Sequence, residues 1–490
     1  MPQPSAGPSV DPETIGTTPG TERSTTTRGR LRRLRTTGIL TAAPLLLVSG
    51  AAVGAFSVSA YHRRVVISYL VLVVVLGTAV WRGLRRPSPV PGPGVARAAG
   101  SLALLAAGVL TWTVPAFSYV GGDPGVALRG LGSVTAVVAA VVLALPWRAA
   151  PTLALTVAAA GYAAVCAAAL RLDPAPRIDV WYTLQGAADG MLNGHDLYQQ
   201  VWIGPPGPMP FFTYLPWTAV LLAPGRWLFG DVRWALAFVT ISIAVMLRAL
   251  PRRAELPDDD RTGVGRQVAA TTAGALVLVL PGTLTQVEQA WTEPLLLGCL
   301  TLAVLGLARG RGWLAVLGVA LALASKQHVL LLLPVLAAWP RFGLRRAVAA
   351  AGLAGVLVLP WFVADPAAMW HDTVTLLVNF PPLRFADTLY IAVLDEWGVQ
   401  LPFWLTGAIV LAVVTAAVVV VRRHDPPPAA VLRWCALVLF VANLVNKQAF
   451  YNQYWLVAGL VLLSWAATEP DVATGPDVAT GPQAAVPAAS

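Results

Sequence analysis

The chain has 490 residues, of which 57% are hydrophobic and only 12% charged, and its mean hydropathy is +0.67. That composition excludes a soluble globular enzyme; long apolar blocks broken by arginines mark a polytopic helical membrane protein, not a barrel of alternating strands. The formal net charge of +10 would suit a nucleic-acid binder, but the arginines gather at the ends of apolar blocks, where they orient spans, so no nucleic-acid partner is expected.

Residues 1–36, rich in Pro, Gly, Ser, Thr and Arg, read as a disordered cytoplasmic basic tail. Apolar blocks follow at roughly 38–58, 65–81, 98–117, 131–147 and 151–170, giving a set of N-terminal transmembrane helices within 37–170. A second block follows the first at once, which favours an uncleaved first span over a signal peptide. Cys166, Cys299 and Cys435 lie inside apolar blocks without metal-ligand spacing and are expected to be small core residues.

After those blocks, the segment 171–230 faces outward. Val180, Leu184, Ala187, Ala188 and Met191 recur at helical spacing and predict an amphipathic helix on the membrane surface. A second short helix is expected from about Pro216. Counting "PWTAVLLAPGRWLF" (216–229) as a span would place the loop 248–266, with five arginines, outside; as a surface helix it leaves that loop inside, as positive-inside bias requires. Further spans are predicted near 232–249, 267–282, 291–308, 313–325, 328–340, 346–364, 401–421, 429–446 and 454–467, about fourteen crossings in all with both termini cytoplasmic. The end, 468–490, carries a tandem six-residue duplication and reads as a disordered cytoplasmic tail.

Among 34 basic residues only two are lysines, Lys326 and Lys447, each followed by glutamine between apolar arms. Basic flanks at Arg309/Arg311 and Arg341/Arg345/Arg346 place both ends of the first stretch inside, with Lys326 at the turn of a hairpin. Arms of 13 residues reach about 20 Å, against a hydrocarbon core of about 30 Å. The tip, Lys326-Gln327-His328, is therefore expected below the outer surface, in a cavity suited to an anion arriving through the membrane. The second tip carries Asn446, Lys447, Gln448, Tyr451, Asn452, Gln453 and Tyr454.

Carboxylates are predicted on the same face. Asp179 begins the surface helix, either as an N-cap or as a general base. Asp196 and Tyr198 follow in a turn, and the outer turn 283–294 offers Gln286, Glu288, Gln289 and Glu293. The loop 365–400, with Trp370, His371, Asp372, Arg384, Asp387 and Glu396, is long enough for a lid. The run Asp258-Asp259-Asp260 sits in a basic loop placed inside and reads as solvated. "GPPGPMP" and "ARGRGW" lack the ending of a phosphate loop, and no metal-binding histidine spacing or nucleophile elbow is present.

The order of Asp179, Gly194-His195-Asp196-Leu197-Tyr198, Tyr214 with Pro216, and Ala324-Ser325-Lys326-Gln327 resembles the GT-C membrane glycosyltransferases that use polyprenyl-phosphate sugars. It most resembles glycosyltransferase family 87, the actinobacterial mannosyl- and arabinosyltransferase-like group. The resemblance covers 175–340; this chain has Tyr214-Leu215-Pro216-Trp217 where the family often reads Tyr-Pro-Pro. It implies an all-α, GT-C-like bundle with a catalytic membrane domain over 171–467, on the outer face of the plasma membrane. The implied donor is a polyprenyl-phosphate sugar, mannose or arabinose, and the acceptor a lipid- or cell-wall-linked glycan.

By that resemblance Asp179 is the base of an inverting displacement. Lys326, Gln327, His328, Lys447 and Gln448 bind the donor phosphate, and Tyr182, Asp196, Tyr198, Gln286, Glu288, Tyr451 and Asn452 bind sugar or acceptor. No metal or cofactor is expected, because the lysines would neutralise the phosphate. The alternatives are a transporter or flippase of lipid-linked saccharides, which has no need of a positioned Asp, and a non-catalytic scaffold.

Overall fold

The structure, a computed structural model, describes residues 61–85, 92–114, 118–200, 206, 211–251 and 261–468. The expected basic tail, the apolar block 38–58, the acidic run Asp258–Asp260 and all but the first residue of the C-terminal tail lie outside them. Helices dominate, and no strand occurs among the described residues.

The first four helices are α1 (Arg63–Arg85), α2 (Pro93–Thr113), α3 (Gly122–Ala144) and α4 (Ala150–Leu172). At 21–23 residues each they reach about 32–35 Å, enough to cross a hydrocarbon core of about 30 Å. Helices α2 to α4 pack through small residues. A Cβ on Gly161 would come within 2.3 Å of the Thr135 methyl, and one on Gly108 within 2.9 Å of the Ser133 carbonyl. Lipid gives helices no hydrophobic reason to associate, so close backbone approach supplies the attraction instead.

The outward segment folds as α5 (Asp179–Leu192) and α6 (Trp217–Phe229), followed by α7 (Arg233–Ala249). Helix α5 buries Leu184, Ala187 and Ala188, as its spacing predicts. Gly230, with φ +83°, ends α6 in the left-handed conformation that only glycine adopts freely, and its N–H returns to the Arg226 carbonyl. The chain then turns by 113° into α7. Thirteen residues of α6 reach only about 20 Å, so Trp217–Phe229 is a short helix set off from α7 by this corner.

Two ion pairs anchor these helices. Arg226 meets Asp189 with both ends of its guanidinium, at 2.8 and 2.9 Å. Arg233, fully buried, pairs with Asp231 at 2.7 Å, and Asp231 also accepts from the Trp181 indole on α5.

The chain continues through α8 (Arg261–Val279), α9 (Thr283–Glu288), α10 (Glu293–Ala308), α11 (Gly312–Ser325), a 3-10 turn (Gln327–Leu332), α12 (Leu333–Ala338) and α13 (Gly343–Ala364). A Cβ on Gly312 would lie 3.0 Å from Arg346 Nε, so α11 and α13 start at one end. The turn after α12 leads directly into α13 at that same end, through the Gly343 N–H to the Trp339 carbonyl. The arms on either side of Lys326 therefore return to one side, and the basic flanks meet there, as expected of a hairpin.

At the other end, Thr218 Oγ1 donates to the Ser325 carbonyl and the neighbouring Trp217 donates to the Leu357 carbonyl. Ser325 thus lies at about the level of Leu357, while α13 continues from there to Ala364, about 10 Å further at 1.5 Å per residue. The lysine tip stops short of the end of its neighbour.

The remaining elements are α14 (Pro366–Trp370), a π turn (His371–Thr375), α15 (Leu376–Asn379), α16 (Leu389–Trp397), α17 (Phe403–His424), α18 (Pro428–Leu444) and α19 (Tyr451–Ala466). Helices α10, α18 and α19 are buried almost all round, whereas α13 and α17 expose Leu344, Val348, Val356, Phe403, Trp404 and Leu411. A helix apolar all round belongs in a core or in lipid; here the short helices take the core and the long ones the lipid boundary. Among the described residues six helices are long and apolar enough to cross a membrane, or seven with α6 and α7 taken as one bent span. Cys166, Cys299 and Cys435 are buried free thiols in this packing.

Candidate functional site at the lysine hairpin

Two stretches singled out in the sequence, 213–218 and 325–327, are docked against each other. The Leu215 N–H and the Thr218 hydroxyl both donate to the Ser325 carbonyl, at 3.1 and 2.6 Å. Gln327 donates from Nε2 to the carbonyls of Thr213 (2.9 Å) and Thr373 (3.0 Å). It thus straps the hairpin tip to the outer loop and to the π turn. Behind them the Tyr198 hydroxyl donates to the Tyr214 carbonyl at 2.9 Å. Asp196 accepts from the Tyr198 N–H at 2.8 Å, an ordinary Asx turn that holds this support in place.

Lys326 lies in extended backbone between α11 and the 3-10 turn. Its ammonium is 2.5 Å from Glu293 Oε1 and 3.1 Å from the Thr292 hydroxyl. The other Glu293 oxygen accepts from Asn452 at 2.8 Å, and Lys326 stands 5.3 Å from the centre of the Tyr214 ring, in cation–π range. The Glu293 side chain is wholly buried and that of Lys326 is 13% exposed. Glu293 is also the first residue of α10, followed by proline, where the helix dipole favours a carboxylate.

His328 lies within electrostatic reach of both charges. Its Nε2 and the Asn452 Oδ1 are buried with no hydrogen-bond partner among the described residues.

Asp179 is buried at the start of α5 and accepts from the Val180 N–H at 2.9 Å. Burial raises the pKa of the Tyr214 hydroxyl, and the negative charges of Glu293 and Asp179 push it the same way. Tyr214 thus lies within electrostatic reach of Asp179 and beside the Lys326–Glu293 pair. Tyr182 sits on the half-buried side of α5.

The other residues selected from the sequence have different surroundings. The Lys447 ammonium donates to the carbonyls of Val378 and Phe380, at the C-terminus of α15, where helix-end carbonyls favour a cation; burial lowers its pKa. Gln448 reaches the same Phe380 carbonyl at 3.4 Å. The second tip contributes Asn452 to the Lys326 neighbourhood, while its lysine braces the 365–400 segment. Tyr451 donates to the Pro281 carbonyl. Gln286 and Gln289 are wholly buried, their side-chain amides without partners among the described residues. Glu288 is buried beside Ser118. The turn that reads as an outer surface in the sequence is packed inside the protein.

Glu293 is the residue whose importance the sequence reading did not single out. The signal was present: a carboxylate opening an apolar helix is an intramembrane charge, which demands a partner. No group of three or more His, Cys, Asp or Glu placed to hold a metal occurs among the described residues.

Comparison with known protein families finds no matching family model, and comparison with curated proteins finds no match.

Proposed function

We propose that the chain is an integral membrane glycosyltransferase of the GT-C type, a bundle of about fourteen membrane helices with both termini cytoplasmic and a catalytic domain over 171–467. It moves mannose or arabinose from a polyprenyl-phosphate donor to a lipid- or cell-wall-linked glycan on the outer face of the plasma membrane. The observation that carries this reading is the largely buried Lys326 ammonium, paired with Glu293 beside the Tyr214 ring.

A phosphate tethered to a lipid reaches such a depth without leaving the bilayer. An ammonium has three N–H groups; Glu293 and Thr292 take two, and the third serves a phosphate oxygen. The acceptor hydroxyl oxygen attacks the anomeric carbon while the bond from that carbon to the phosphate oxygen breaks. Polyprenyl phosphate leaves with the bonding electrons, and Asp179 takes the hydroxyl proton. Lys326 stabilises the charge that grows on the leaving phosphate. A single displacement of this kind needs one base, unlike glycosidases with two working carboxylates.

The test is transfer by purified protein in vesicles supplied with polyprenyl-phosphate mannose or arabinose and an acceptor lipid. Asp179→Asn should lower transfer by about 10²–10⁴-fold with donor binding intact. Transbilayer movement of a lipid-linked saccharide without transfer, equal in wild type and Asp179→Asn, would establish the transporter reading instead.

A further inference from the structure

A cavity of about 480 Å³ lies among α2, α3, α4 and the 278–288 turn. Thr292, Glu293, Lys326 and Asn452 are not among the residues that line it. Its size falls within the range of small-molecule pockets, about 300–1,000 Å³. Much of the wall is apolar, including Val126, Leu128, Val165, Leu280 and Leu284. Glu288 also lines it, 3% exposed, with Oε1 accepting from the Ser118 hydroxyl at 2.8 Å. No other hydrogen bond to this carboxyl occurs among the described residues.

We propose that this cavity binds an uncharged amphiphile, its chain along the apolar wall and a hydroxyl of its head donating to Glu288. The Glu288 carboxyl lines the cavity, and one hydroxyl partner leaves it acceptor capacity for another. Asp123 at the wall offsets the single charge of Arg129, so the site offers no net positive charge to an anionic head. Burial pushes the Glu288 carboxyl up to about 7, so near neutral pH it both accepts and donates, as a hydroxyl does. The assignment rests on the lining of this cavity and not on the Lys326–Asp179 site.

The test uses full-length protein in nanodiscs and an octyl glucoside bearing a diazirine in its chain. Labelling should saturate, map to residues 120–129 and 278–285, and be competed by octyl glucoside but not by octyl phosphate. Gly132→Leu should suppress it at least tenfold: a Cβ there meets only the Thr111 methyl, at 3.8 Å, so a longer side chain fills the cavity without displacing helix packing. Glu288→Leu should weaken binding about tenfold or more, as loss of a hydrogen bond to a carboxyl implies, and Glu288→Gln less. Unsaturable labelling, equal competition by octyl phosphate, or unchanged labelling in a folded Gly132→Leu protein would overturn the proposal.

Discussion

Replacing Glu293 by glutamine strands the Lys326 ammonium without its counter-charge while keeping the side-chain shape. At 2.5 Å and an effective dielectric of about 20, the Coulomb attraction of the pair is about 6–7 kcal/mol. Desolvation opposes it at several kcal/mol per ion, so the net worth of the pair is small. Removing one partner is different, because the surviving charge stays buried, at a cost of about 3–5 kcal/mol. Lys326 keeps 13% exposure and its Thr292 contact, so Glu293→Gln should cost about 3 kcal/mol, the low end of that range. Lys326→Met leaves Glu293 wholly buried and uncompensated, and should cost at least as much.

The double variant removes both charges. Its loss should fall short of the sum of the single losses by about 1–3 kcal/mol, the coupling typical of groups in direct contact. Reversible unfolding in mixed detergent micelles, followed by circular dichroism, measures all three. Single losses under about 1 kcal/mol, or additivity within about 0.5 kcal/mol, would refute a buried, mutually compensating pair.

Asp231→Ala leaves the fully buried Arg233 unpaired and should destabilise by about 3–5 kcal/mol in the same unfolding assay. Gln327→Leu removes the strap to Thr213 and Thr373; at about 1 kcal/mol per hydrogen bond, hydrogen exchange should quicken in 213–218 and 373–376 while the arms of the hairpin stay protected. Asp179→Asn should lower sugar transfer by about 10²–10⁴-fold, the range of general-base catalysis, with an unchanged melting temperature. The Glu288 carboxyl has its pKa raised to about 7 by burial. The folded state therefore holds a proton that the unfolded chain releases near pH 4.5, so this group's contribution falls as pH rises from about 4.5 to 7, by about 3 kcal/mol in total. Glu288→Gln should remove that slope from a plot of thermal stability against pH.

Much of the architecture is local and therefore readable in order. The apolar blocks, the amphipathic spacing around Leu184 and Ala187, the basic flanks of the Lys326 hairpin and its short arms each depend on residues close in sequence. The return of both arms to one end, which the basic flanks imply, is repeated in the Gly312–Arg346 approach. The corner at Gly230 was implicit in the charge of the next loop, though not its angle.

The partners of each charge were not readable, because they lie far apart in the chain. Lys326 and Lys447 carry the same Lys-Gln signature, yet one ammonium meets a buried carboxylate and the other two helix-end carbonyls. Gln286 and Glu288 look like surface turn residues until α4, α7, α8 and the 118–120 segment cover them. Composition alone determined that the protein lives in a membrane, because so many apolar residues have no other solvent. Only tertiary packing decided which polar groups are compensated inside it: a buried charge takes its character from the partner brought to it, and Glu293 and Asn452 reach Lys326 from separate helices.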